Sequence, residues 1–279
     1  MKKILFLLCL PIATFGQMSG LDYHKVSFKL DSLLIIAKDT GKYILEYERL
    51  PLDSLMETEF FIASKVYSRK RNYEKFQTSV KKSFEAGQTS EVIINYNSRI
   101  PEKEKIGLLD LELEMKKKHF SKVPKEVYDG IKNLVVVDSR IRDLNMRRQV
   151  NDKVVKTVDS LTLLQLHSII QKHGMITERK HGALFNDFFY LILHCAMYNY
   201  KDHEWMRKLF YKAVIDGDAR PDLYAYFVDR FEVINKREQI YGSMTNSNAV
   251  KDWKRVDQKR KEIGTCNLWN WKLLRKGRF

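Results

Sequence analysis

The stretch from Gly182 to Tyr200, G-A-L-F-N-D-F-F-Y-L-I-L-H-C-A-M-Y-N-Y, constrains what this chain can fold into more than any other. It has helix length, contains no proline and carries apolar residues on nearly every side, the pattern of a helix enclosed by other elements. Its length also raises the question of a membrane span. Asn186, Asp187, His194, Asn199 and the polar flanks argue against one. The expectation is a buried central helix over about 183–200, covered by other helices.

The rest of the chain supplies candidates for that cover. Leu21 to Ala37 has helical apolar spacing. After Pro51, Ser54 and Glu57 have the spacing of a capping box, and Met56, Phe60, Ala63 and Tyr67 continue a stripe that predicts a helix toward Tyr73. Gly87 interrupts the next part, where Val92-Ile93-Ile94 fits either a short strand or a helical turn. From Pro101, the spacing of Ile106, Leu109 and Leu113 restores a helix. The polar, basic run Lys116 to Val123 is the best candidate boundary, dividing an N-terminal helical region (18–120) from a C-terminal helical domain (121–279). Pro124 opens a long helix predicted to reach Val155, and Asp159 is placed to cap the next, whose Leu163, Leu166 and Ile170 stripe stops at His173-Gly174. Later helices are expected over Trp205 to Ile215, from Pro221 to about Asn235, and over Val250 to Ile263. No repeat and no sheet-length alternation occurs. The fold class is all-α, an irregular multi-helix bundle around the central helix.

Met1 to about Gln17 reads as a secretory signal peptide, with two lysines, an apolar run from Ile4 to Ala13 and small residues before Gln17. Export to the periplasm or outside the cell follows as the expectation, with no other run suited to spanning a membrane. The formal net charge is +15. For an exported chain this points to anionic envelope lipid or polysaccharide and not to nucleic acid, or else to a solvated basic surface without a specific partner. Cys195 and Cys266 either form one disulfide or stay unpaired, Cys195 resembling a buried core thiol. Near the C-terminus, Trp269 and Trp271 beside Lys272, Arg275, Lys276 and Arg278 fit either an interfacial membrane contact or packing on the domain.

Helical phase gives the sharpest functional signal. Val127, Ile131, Leu134 and Val135 define an inward stripe, and Asp138 and Arg142 fall within it, four apart and able to pair. After Pro221, Leu223, Phe227 and Ile234 define another stripe with Arg230 between them and Asp229 to one side. A buried arginine is costly unless paired, so Arg230 should meet a carboxylate, Asp138 or Asp229, or a bound anion. Asp187, His194 and Tyr198 share one face of the central helix, and an imidazole there can exchange a proton near neutral pH. The histidines lack metal spacing, and no G-x-S-x-G, Walker or dinucleotide motif is present. Neither a metal nor a cofactor is expected.

At these residues the chain resembles an uncharacterised bacterial family, one of the domains of unknown function found in exported or envelope-associated proteins. The resemblance runs from about Val136 to Ile263. It is carried by Asp138-x-x-x-Arg142, Asp159 with Leu163, the turn at His173-Gly174, His194, Ala225-Tyr226-x-x-Asp229-Arg230, Gln239-Ile240-Tyr241-Gly242-Ser243, and Arg260 with Ile263-Gly264. It implies an exported helical domain and names no substrate. Together these readings place a polar pocket at Asp138, Arg142, His194, Asp229, Arg230, Gln239 and Tyr241, binding a polar or anionic small molecule or envelope component. The rivals are an enzyme with His194 or an aspartate as general acid or base, and a structural protein with a closed polar network.

Overall fold

The structure is a computed structural model and describes residues 19–97, 100–244, 250, 252–268 and 270–272. The signal-peptide reading, Trp269 and the last seven residues lie outside the described residues. Among the described residues there are thirteen α-helices, one 3-10 turn and no strand.

The N-terminal half contains α1 (Gly20–Ile35), α2 (Thr40–Glu48), α3 (Glu57–Arg69), α4 (Tyr73–Glu85), α5 (Ser90–Tyr96) and α6 (Glu102–Lys122). Their inward aromatic residues, among them Tyr43, Phe60, Phe76 and Phe84, pack with Met115 into one core. The C-terminal half contains α7 (Lys125–Met146), α8 (Asp152–His173), the single turn α9 (Glu178–His181), α10 (Leu184–Cys195), α11 (Tyr200–Ile215), α12 (Pro221–Ile234) and α13 (Trp253–Glu262). Its separate core gathers Val127, Leu166, Phe185, Phe188, Phe210 and Phe227.

The central helix is shorter and less enclosed than its sequence suggests. α10 ends at Cys195, because Asn199 caps the next helix by accepting the Lys201 N–H at 2.8 Å. Its face of Leu184, Phe188, Leu191 and Ile192 packs on α7 and α8. Tyr190 and Tyr198 reach solvent at 39% and 53% exposure. A tyrosine carries an apolar ring with a wet end, so counting it as apolar overstates enclosure.

Other boundaries also moved. α3 starts with Glu59 accepting the Met56 N–H at 3.1 Å, while the Ser54 hydroxyl bonds the Pro51 carbonyl at 2.6 Å, so Glu59 and not Ser54 with Glu57 closes that end. α3 stops at Arg69. Val92-Ile93-Ile94 is helical within α5. The Lys116 to Lys122 run is helix, its lysines forming a solvated flank, and only Val123-Pro124 separates α6 from α7. Ile106, Leu109 and Leu113 face outward, and α6 buries Leu108, Glu112, Met115 and His119 instead. The long helix predicted to reach Val155 is two, since α7 stops at Met146 and Asn151 caps α8. The final helix begins at Trp253.

The histidine stacked in the second core has a measurable consequence. His203 is 2% exposed, its ring lies 3.7 Å from that of Phe231, and its Nε2 has no hydrogen-bond partner. Burial, then the charge of Arg207, push it down to about 4. An unfolded histidine titrates near 6.5, so between these values the unfolded chain holds the extra proton. Stability therefore falls as pH drops from about 6.5 toward 4, by up to about 3 kcal/mol. His203→Phe should remove about 2 kcal/mol of the stability lost between neutral pH and about pH 4.5 in urea titrations. An unchanged acid loss would contradict a neutral, buried His203.

Candidate functional site

Three helices bring four polar side chains together. α7 presents Asp138 and Arg142 one turn apart, α8 presents Asp159, and α10 presents His194. Arg142 donates to Asp138 at 3.0 Å and also to Asp159. His194 Nδ1 stands 2.9 Å from the other oxygen of Asp138. Both carboxylates are 1% exposed, while the side chains of Arg142 and His194 are 22% and 19% exposed. The acids thus form a floor and the two bases a rim. Nε2 of His194 has no partner among the described residues. Tyr190 packs edge-on against the imidazole at 4.4 Å, and the Tyr198 phenol leans toward Asp159.

Electrostatics distinguish the two acids. Burial alone would raise Asp138, but hydrogen bonds from His194 and Arg142 outweigh it and hold the group below the usual carboxylate range. Asp159 goes the other way: burial outweighs its pairing with Arg142 and raises it. Arg142 is pushed up despite burial, because both carboxylates favour its charge.

The other expected pocket residues form a different arrangement. Asp229 is 0% exposed and accepts the N–H groups of Ile240, Tyr241 and Ser243 at 2.7, 2.9 and 2.7 Å, plus the Ser243 hydroxyl at 2.8 Å. Gln239 closes the same loop through both backbone groups of Met244. Arg260, 1% exposed, donates to the carbonyls of Tyr241 at 2.8 Å and Cys266 at 2.6 Å, and its guanidinium lies 5.2 Å from the Trp271 ring. Asp229, Gln239, Tyr241 and Arg260 are therefore a clasp on the loop and the C-terminal segment.

Contrary to expectation, Arg230 meets neither Asp138 nor Asp229 nor any other carboxylate among the described residues; its Nε donates to the Leu193 carbonyl at 3.1 Å. That carbonyl lies in the last turn of α10, where cations are favoured. The buried face of α12 runs through Tyr224, Phe227, Val228 and Phe231, and Ile234 is 50% exposed, so Arg230 sits at the edge of that face and not within it. Asp187 pairs with Lys132 at 2.6 Å and not with the His194 cluster. Asp159 is no cap but a floor residue, and sequence held the signal: it stands four before Leu163 and seven before Leu166, in the buried stripe. Cys195 and Cys266 are both free thiols, with burial raising Cys195 beyond a nucleophile's range.

No protein-family model matches the chain, and no curated protein or solved structure is similar to it. Among the described residues, no helix is long and apolar enough to cross a membrane, and no group of three or more potential ligands is placed to hold a metal ion.

Proposed function

We propose that this is an exported protein whose C-terminal half binds a polar small molecule or envelope component over the rim formed by His194, Arg142, Tyr190 and Tyr198. The observation that carries this reading is the free Nε2 of a partly exposed imidazole whose Nδ1 is fixed by a buried carboxylate. A carboxylate behind Nδ1 sets ring orientation and leaves the outer nitrogen for a ligand. Two carboxylates already offset the Arg142 charge, so a neutral polar ligand rich in hydroxyl groups suits the rim better than a polyanion. Export rests on the N-terminal leader pattern, and the +15 charge suits an anionic envelope.

A second reading draws on the same pair. At 2.9 Å from Asp138, His194 has the arrangement of an oriented general base able to take a proton from a bound hydroxyl or water. Saturation-transfer NMR with a neutral disaccharide, glycerol phosphate and an acetylated dipeptide tests the binding reading. The expected result is a signal from at least one probe that His194→Gln abolishes while Asp187→Asn, outside the cluster on the same helix, retains it. Equal signals from wild type and His194→Gln would overturn the site.

A further inference from the structure

The apolar line of α6 that sequence spacing assigns to the core lies on the outside of the molecule. Ile106, Leu109, Leu113 and Phe120 stand at i, i+3, i+7 and i+14, so at about 100° per residue they fall within an arc of about 60°. All four are exposed, from 40% at Phe120 to 72% at Ile106. On the opposite face Leu108, Met115 and His119 are buried, and there α6 packs on α4. α6 is therefore apolar on two sides and covered on one among the described residues, and a helix of that kind ordinarily has a neighbour on each. Phe120 is already held, its ring edge-on to Tyr128 of α7 at 4.9 Å, which lowers the cost of ordering it in a contact.

Charge decides what that neighbour is. Beside the line, Asp110 lies three residues before Leu113 and Lys117 four after it, on the same flank. Both are exposed, and neither has an ion-pair partner among the described residues, whereas Lys105, Lys116 and Lys118 pair with Glu102, Glu112 and Glu85. The helix is also polarised: residues 102–112 carry four acids and two lysines, and residues 114–122 one acid and four lysines. An anionic membrane would meet the acids of this face as well as its lysines, and a partner of uniform charge would meet the wrong sign at one end. A second α6 running the opposite way satisfies both ends.

We propose that the outer face of α6 is a self-association surface, on which a second copy of this chain docks antiparallel about a two-fold axis at Leu113. Leu113 then meets its own copy. Ile106 and Phe120 lie seven residues either side of it, about 10 Å along the helix, so each Ile106 falls on the second copy's Phe120. Asp110 falls within one residue's rise, about 1.5 Å, of the second copy's Lys117, and the pair occurs twice. A parallel arrangement would set Asp110 against Asp110 and Lys117 against Lys117. Four apolar side chains on one helix face fall short of a standard interface, about 800 Å2 per partner, so the dimer is reversible, with a Kd of roughly tens of micromolar. The net charge of +15 repels two copies at long range, and salt of about 0.15 M screens that repulsion beyond about 8 Å without removing contact pairs.

Sedimentation velocity of the whole protein from about 5 to about 300 µM, in about 0.15 M salt, tests this. The wild type is expected to pass from monomer to dimer and no further, because a two-fold contact closes. Leu113→Asp places two like charges on the axis and should weaken the dimer by about thirtyfold or more, while its exposed position leaves the unfolding midpoint of the dilute protein unchanged. Asp110→Lys and Lys117→Asp should each weaken it by about tenfold, by setting like charges together twice. Mixed in equal amounts, these two variants should pair as tightly as wild type, since each supplies the sign the other lacks. A monomer at every concentration would overturn the proposal, whether or not it sediments with phosphatidylglycerol vesicles. So would an unweakened dimer in Leu113→Asp, or a mixture that associates no better than either variant alone.

Discussion

Asp229→Ala is expected to lose about 4 to 5 kcal/mol of stability, the largest effect of any single side-chain truncation considered for this chain. The carboxylate is wholly buried and receives three backbone N–H groups and one hydroxyl from residues 240–243. Removing it strands three donors, each costing about 1 to 3 kcal/mol when left unsatisfied, with some relief as the loop opens to water. The loss then spreads to the C-terminus, because Arg260 is anchored on the Tyr241 carbonyl of that loop. Asp229→Asn keeps one of the two acceptor oxygens and turns an amide NH2 toward the other pair of donors, so it should still cost about half as much or more. Urea denaturation of both variants checks this. A loss below about 1 kcal/mol for Asp229→Ala would mean that the loop is held by something else.

Gly182→Ala should cost about 4 kcal/mol through a different cause, backbone proximity between the two halves. Gly182 has φ +55°, and a Cβ there would fall 1.8 Å from the Ala86 carbonyl oxygen. That carbonyl also accepts the Ala183 N–H at 2.8 Å, so separating the chains breaks this bond as well. The control is Gly174→Ala, where φ is +83° and nothing lies within 4 Å of the added carbon. It should lose only the cost of that glycine-favoured backbone conformation, φ 83° and ψ 178°, about 1 to 3 kcal/mol. Similar losses at the two positions, read by thermal unfolding, would show that backbone proximity at Gly182 contributes nothing.

The all-α class was legible because apolar spacing repeated at helical period with caps between, and Asp138 was legible because it interrupted an apolar stripe. The α6 stripe of Ile106, Leu109 and Leu113 misled, since helical spacing reports a helix but not which face its neighbours cover. Asp159 was missed because a short acid near a helix start is equally suited to capping, and only the end of α7 at Met146 shows that α8 begins seven residues earlier. Glu178, which accepts the Thr58 hydroxyl at 2.6 Å and pairs with Arg220 at 3.1 Å, was invisible as a junction residue: Thr58 lies 120 residues away, and the junction depends on tertiary approach. Asp229 was singled out beside an apolar stripe and Arg260 only through the family resemblance, and neither signal separates a clasp from a binding group, because each requires a buried charge with partners.

The central claim is that His194 belongs to an open site and not to the core. Its most direct test is the unfolding free energy of His194→Gln, which keeps a hydrogen-bonding side chain but cannot titrate. With the imidazole partly exposed and Asp138 still held by Arg142, the variant should lie within about 0.5 kcal/mol of wild type. A loss of about 2 kcal/mol or more would place His194 in a structural network and contradict the account.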